Sequence, residues 1–125
     1  MRAEDFGSKP HSIHSKEEFE VFLQKQRIGF NELVFQPSAT DFPMITILVR
    51  GSEAVAHFYP DGDHPGFISV GSPKATGTSV FRTDRGETSL EVSNDAVVPL
   101  FRALDAAREF FREQKLPESL EWFEL

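Results

Sequence analysis

The chain has no cysteine, which excludes disulfides, thiolate nucleophiles and cysteine-ligated zinc. Basic residues are scarce: 13 Lys and Arg stand against 20 Asp and Glu, giving a net charge of −7 and a pI near 5.0. Phosphate backbones and anionic membranes need a basic footprint, so no direct binding to nucleic acid or to a membrane is expected. No apolar run approaches the length that spans a bilayer, and residues 1–8 (MRAEDFGS) contain no apolar signal core. The expectation is a soluble, cytoplasmic protein. Tyrosine and tryptophan occur once each against 13 phenylalanines, so the aromatics supply mainly a core. At 125 residues the chain has material for a single domain, residues 1–125.

Residues 1–14 are polar and read as irregular, with Lys9-Pro10-His11 as a loop. Ser15 and Glu18 have the spacing of a capping box, in which a hydroxyl and a carboxylate satisfy free N–H groups at a helix start. Phe19, Phe22 and Leu23 follow at helical spacing, and the helix is expected to end near Gly29. The period then changes to two. Strands are expected at 31–36, 43–50, 54–59, 67–70, 78–83 and 87–92, separated by turns rich in Gly, Pro and Asp. In the second of these, Ile45, Ile47 and Val49 lie on one face. Met44, Thr46 and Leu48 make the other face apolar too, as a central strand covered on both sides requires. In the sixth, Thr88, Leu90 and Val92 are expected to be buried or half-buried against the wet Glu87, Ser89 and Glu91. Pro99 suits the first position of a second helix. Its stripe is expected to comprise Leu100, Leu104, Ala107 and Phe111, widened by Phe101 and Phe110. After Leu116-Pro117, Leu120 to Leu125 alternate as a short strand, with Trp122 assigned to the core. The predicted fold is α+β: an antiparallel sheet of about six strands with two helices packed on it and a short C-terminal strand.

No catalytic constellation emerges. Gly66 to Gly71 resembles a Gly-x-Ser-x-Gly elbow around Ser69, but the first interval is one residue too long and no helix follows. In Gly71 to Ser79 the lysine precedes the second glycine, the wrong order for a phosphate cradle. Asp61, Asp63 and His64, with His57, are the best metal candidates. Pro65 and the strand at Phe67 interrupt the calcium loop they resemble, and turns use Asp, Gly and Pro anyway. His57 reads as a partly buried strand histidine, and His11 and His14 as solvated. The chain reads as a non-enzyme, with no catalytic residue, metal or cofactor expected.

An ordered set of short segments carries a family resemblance. It comprises Asp41-Phe42-Pro43 before an apolar strand, then Ala54 to Tyr59, then Phe67 to Gly71. Asn94-Asp95 with Val97-Val98 follows, then Ala106-Ala107-x-x-Phe110-Phe111, and the set ends in Pro117-Glu118-x-Leu120-x-Trp122-x-Glu124-Leu125. Over roughly residues 30–125 the chain resembles the Imm1 family of bacterial immunity proteins, closest to members that neutralise DNA-cytosine deaminase toxins. The resemblance implies a partner, the C-terminal domain of a polymorphic toxin delivered between bacteria, often a deaminase or nuclease, which the immunity protein occludes. A toxin that acts on nucleic acid presents a basic cleft, and an acidic protein can be steered into it. Partner-binding candidates are Tyr59, Asp61 and Asp63 on one loop, and Asp84, Glu87 and Glu91 on the turn and strand that follow. Two other classes stay open at this stage: a small-ligand or sensory α+β domain with a pocket between sheet and helices, and a stand-alone hydrolase.

Overall fold

A computed structural model describes residues 1–125, as ten strands and two helices. In chain order these are β1 (Arg2–Asp5), β2 (Ser8–Ser12), α1 (Lys16–Gln24), β3 (Phe30–Gln36), β4 (Met44–Arg50), β5 (Glu53–Tyr59) and β6 (Phe67–Val70), then β7 (Thr78–Thr83), β8 (Thr88–Ser93), β9 (Val98–Pro99), α2 (Leu100–Glu113) and β10 (Glu121–Glu124). Eight strands form one sheet in the order β10-β6-β5-β4-β3-β1-β2, with β9 also pairing β5, while β7 and β8 form a separate hairpin.

The centre is the β4–β5 pair, in antiparallel register from Met44↔Tyr59 to Arg50↔Glu53. Gly51 and Ser52 make the two-residue turn between them, and Gly51 takes the positive φ that hairpin turns of this length favour. Every residue from Ile45 to Val49 is buried, so both faces of the sheet are covered here. On one face lie α1 and α2: Ile45, Ile47, Val49, Ala54, Ala56 and Phe58 pack with Phe19, Phe22, Leu23, Ala103, Ala107 and Phe110 in the main core. Phe19 stacks on Phe111 with ring centroids 4.5 Å apart and so joins the two helices. On the opposite face the β7–β8 hairpin closes a smaller core of Leu48, Val55, Phe81, Val92 and Ala96. The covering on both sides expected from the β4 sequence is therefore observed.

Several local expectations are corrected. Residues 1–14 are not irregular. β1 pairs with β3 and β2, and Ala3 and Asp5 are buried. The polar sequence hides this because β2 is the exposed edge of the sheet, and its pairing is made by backbone. The main sheet is accordingly larger than six strands. The first helix stops at Gln24 rather than near Gly29, because Arg27 turns back to donate from Nη2 to the Phe22 carbonyl at 2.8 Å. The Ser15 hydroxyl caps Glu18 N–H as expected, whereas the Glu18 carboxylate accepts from His14 N–H. Pro99 sits at the N-cap of α2 and not inside it. The buried face of α2 is Ala103, Ala106, Ala107 and Phe110. Alanines let the helix approach the sheet closely, which leaves Leu100, Leu104 and Phe111 at the margins of the core and Phe101 67% exposed. In β8 only Val92 is buried. Leu90 shares its face with Thr88 and Val92, as expected, but a two-stranded hairpin overhangs the sheet and leaves it in solvent.

Trp122 packs partly buried against the main core and donates from Nε1 to the Pro117 carbonyl at 2.7 Å. That agrees with a structural role for the C-terminal strand, which pairs with β6 in register from Glu121↔Val70 to Glu124↔Phe67.

The buried Asp5 ties the β1–β2 turn to the end of α1. Its Oδ2 accepts from Lys25 Nζ at 3.1 Å and Arg27 Nε at 3.0 Å, while Oδ1 accepts from the Ser8 hydroxyl and Gly7 N–H. Burial pushes its pKa up, but the hydrogen bonds from Ser8, Lys25 and Arg27 outweigh it and hold the carboxyl down at about 2. Because the folded-state pKa lies below the unfolded one, this stabilisation is complete above about pH 4 and is lost as pH falls towards 2. We expect about 2 kcal/mol of stability to disappear across that window. Asp5→Asn should be less stable at neutral pH and lack this step in its urea midpoint against pH. An identical pH profile in the variant would refute the assignment.

Candidate functional site

Tyr59, Asp84, Glu87 and Glu91 belong to the hairpin side of the sheet, the face away from the helices, and Asp61 and Asp63 to the loop that follows β5 at its edge. Strand alternation places Tyr59 and His57 of β5 there, beside Met44 and Thr46 of β4 and Val34 and Glu32 of β3. His57 and Tyr59 stack with centroids 4.1 Å apart and planes 7° apart. The 60–66 loop folds onto this face: His57 Nε2 donates to the Pro65 carbonyl at 2.9 Å. A Cβ on Gly66, whose φ is +99°, would lie 2.5 Å from that same ring. Glycine is thus required where the loop crosses the histidine. Burial lowers the pKa of His57, and the bond to Pro65 only partly offsets it, so the ring is neutral and serves to pin the loop.

Asp61 and Asp63 lie exposed on that loop, and Asp61 Oδ1 accepts from Asp63 N–H at 2.8 Å. His64 turns away from them: its Nδ1 accepts from Gly66 N–H, and its Nε2 lies 2.8 Å from Glu124 Oε2. The Asp61 carboxylate therefore braces the turn and His64 the C-terminal strand, while the Asp63 carboxylate makes no hydrogen bond within the protein. No three of them converge as a metal site would require.

The second group sits at the other end of the face. Asp84 and Glu87 occupy the β7–β8 turn, where Asp84 and Arg85 take positive φ. Arg85 ties this turn to β1–β2 through the carbonyls of Phe6 and Ser8. Glu91 is opposite Val80 on the outer surface of the hairpin and accepts from the Thr78 hydroxyl at 2.8 Å. None of Asp61, Asp63, Asp84, Glu87 or Glu91 takes part in a salt bridge. Five carboxylates thus face solvent without a cation.

Between the two groups lies a residue that the sequence reading passed over. Glu32 is half-buried on the sheet face and accepts from the Thr83 hydroxyl at 2.7 Å. Burial raises its pKa; the Thr83 bond opposes this, and Asp84 and Glu4 add to the rise. Tyr59 is raised first by burial and then by Glu32. Glu32 therefore lies between Asp84 and Tyr59, while Glu4 beside it pairs with Arg85 at 3.7 Å. The signal in the sequence was a carboxylate one position before the buried Leu33, so that alternation turns it to the face opposite the main core.

Ser69, the rejected nucleophile, is 1% exposed. Its hydroxyl accepts from Ala56 N–H at 3.1 Å and donates to the Ala96 carbonyl at 2.8 Å, beyond the point where β5–β6 pairing stops. It replaces a ladder bond. Between sheet and helices lie a cleft of about 60 Å³ beside Leu23, Leu33 and Leu104, too small for a ligand, and a groove of about 610 Å³ between β2 and α1 that is open to solvent rather than enclosed. A small-ligand domain of the kind weighed above is not favoured.

Residues 7–124 match the family described as Immunity protein Imm1. The chain belongs to the Imm1 family. It is an immunity protein, which acts by neutralising a toxin and not by catalysis. It is similar along its whole length to the double-stranded DNA deaminase immunity protein of Burkholderia cenocepacia (strain H111), with 26% identity over 125 residues that make up 100% of each chain. No helix of this immunity protein is long and apolar enough to cross a membrane.

Ser69→Ala would leave a buried N–H and a buried carbonyl without their partner. The expected loss is about 2–4 kcal/mol, seen as a lower urea midpoint. An unchanged midpoint would show that the hydroxyl does not hold the fold together.

Proposed function

We propose that this immunity protein neutralises a DNA-cytosine deaminase toxin by docking the hairpin side of its sheet over the toxin's substrate cleft. The observation that carries the reading is the set of uncompensated carboxylates on that one side. Asp61 and Asp63 lie on the loop at one end and Asp84, Glu87 and Glu91 at the other, with Glu32 between Asp84 and Tyr59. A cleft that holds DNA is lined with cations placed to meet phosphates. Carboxylates held by a rigid sheet can take those positions and so exclude the substrate. Tyr59, stacked on His57 and half-buried, supplies an aromatic contact in the middle of the acidic surface, of the kind that is enriched at interface centres. The whole-length similarity to an immunity protein against a double-stranded DNA deaminase supports the choice of toxin class. An acidic inhibitor of this kind binds the toxin in place of nucleic acid and has no affinity for DNA or membranes itself. Its place of action is the cytoplasm of the protected cell.

The test is co-expression with a DNA-cytosine deaminase toxin domain from the organism that encodes this chain. Cells should survive with an unchanged mutation frequency, and the two proteins should co-purify in equimolar ratio. Killing at an undiminished rate would refute the function. The electrostatic account has its own test. Asp61→Lys with Asp63→Lys, and separately Glu87→Lys with Glu91→Lys, should leave the fold intact, since all four are exposed. At least one pair should slow association by roughly tenfold at low salt, with the deficit shrinking as salt is added. Unchanged association rates in both would refute steering and leave the function standing.

A further inference from the structure

Beside the acidic face lies a groove of about 430 Å³ with an apolar lining. Ile68 and Val70 of β6 form its floor, with Val92 of β8 and Pro73 on one side and Phe123 and Leu125 on the other. Phe123 is 62% exposed and Leu125 51%. Of the 13 phenylalanines only Phe101 and Phe123 are exposed, and Phe101 does not line this groove. Phe123 is not a residue on a loose end. β10 is paired with β6 along its full length, Leu125 N–H donates to the Gly66 carbonyl at 2.9 Å, and Glu124 meets His64. Trp122 holds the same strand from the other side. The fold therefore fixes a large apolar ring in water, next to a groove that it does not fill.

We propose that this groove is the apolar anchor of the toxin interface: it receives a leucine- or phenylalanine-sized side chain that projects from the toxin between basic residues. The proposal rests on the function given above. Two observations select this occupant. The groove is continuous with the acidic face, because Ile68 in its floor is the cross-strand neighbour of His57, on which Tyr59 stacks. Its rim is also acidic: Asp95 lines it and Glu121 shares the strand face of Phe123, and neither is in a salt bridge. A second copy of this chain would bring Glu121 and Asp95 against like charges, with a net −7 on each molecule. A basic partner relieves that charge. The two parts of the surface then do different things. Exposed carboxylates set how fast the proteins meet, and a desolvated apolar contact sets how slowly they part.

The test measures binding, by surface plasmon resonance, to a catalytically inactivated variant of the deaminase toxin domain that this protein neutralises in the co-expression test. Phe123→Ala with Leu125→Ala should speed dissociation by roughly thirtyfold or more and leave the association rate and its salt dependence unchanged. Dissociation within twofold of wild type, with the unfolding midpoint preserved, would overturn the groove. In case the double variant does not fold, Leu125→Cys gives a single thiol in a chain without cysteine, which an environment-sensitive fluorophore can label. Its emission should shift to the blue when the deaminase domain is added. Unshifted emission from a formed complex overturns the proposal, as does a shift that follows the chain's own concentration without toxin, the signature of self-association. If wild-type protein does not bind the deaminase domain at all, the function itself fails and the groove falls with it. Binding with an unresponsive groove leaves the function intact.

Discussion

The constraint on which the rest depends is that β4 and β5 are apolar on both faces. A strand buried from Ile45 to Val49 has to be covered twice. The two helices cover one face, α2 through alanines and Phe110 and α1 through Phe19, Phe22 and Leu23. The other face is covered only by a two-stranded hairpin, which reaches Leu48 and Val55 through Phe81 and Val92. A cover that small leaves the upper sheet face, with Val34, His57 and Tyr59, half-exposed. The surface available to a partner is what the second cover does not reach.

That asymmetry leaves room for charge on the hairpin side. On the helix side the more buried charges pair with one another: Asp5 with Lys25 and Arg27, and Glu20 with Arg108, whose pKa the ion pair raises while lowering that of Glu20. On the hairpin side Arg50 and Arg85 hold the hairpin to the sheet, Arg50 reaching the Val80 carbonyl and Ser79. The carboxylates of the 60–66 loop and the β7–β8 turn stay unpaired, on a chain whose net charge is −7. Uneven charge on a rigid frame favours a partner of opposite sign over nonspecific association.

The loop that carries Asp61 and Asp63 is held more firmly than its composition suggests. Pro65 is bound by His57, Gly66 N–H by His64, and His64 in turn by the C-terminal strand. The loop, the end of β5 and β10 therefore form one unit, and the acidic residues are presented without a large ordering cost on binding.

Much of this was legible in the sequence. The β3 to β8 strands were readable because alternation and turn chemistry are local properties, and the two apolar faces of β4 foretold cover on both sides. The Ser15 cap and the return of Trp122 to the core were local signals too, and the ordered segments ending in Pro117 to Leu125 carried the family. β1 and β2 were hidden, because an edge strand such as Lys9-Pro10-His11 is paired by backbone and needs no apolar residues. The face of α2 was misjudged because helical periodicity gives a stripe but not its rotation, and close approach favoured alanine over leucine and phenylalanine. Carboxylates could be named one by one, but a sequence does not say which lack a cation. Glu32 gained meaning only when folding set it between Asp84 and Tyr59, and Phe123 only when β10 paired beside β6. Local pattern determined the elements and the family. Which surfaces remained uncovered and unneutralised was decided by long-range packing, where residues far apart in the chain compete for the same space and the same charges.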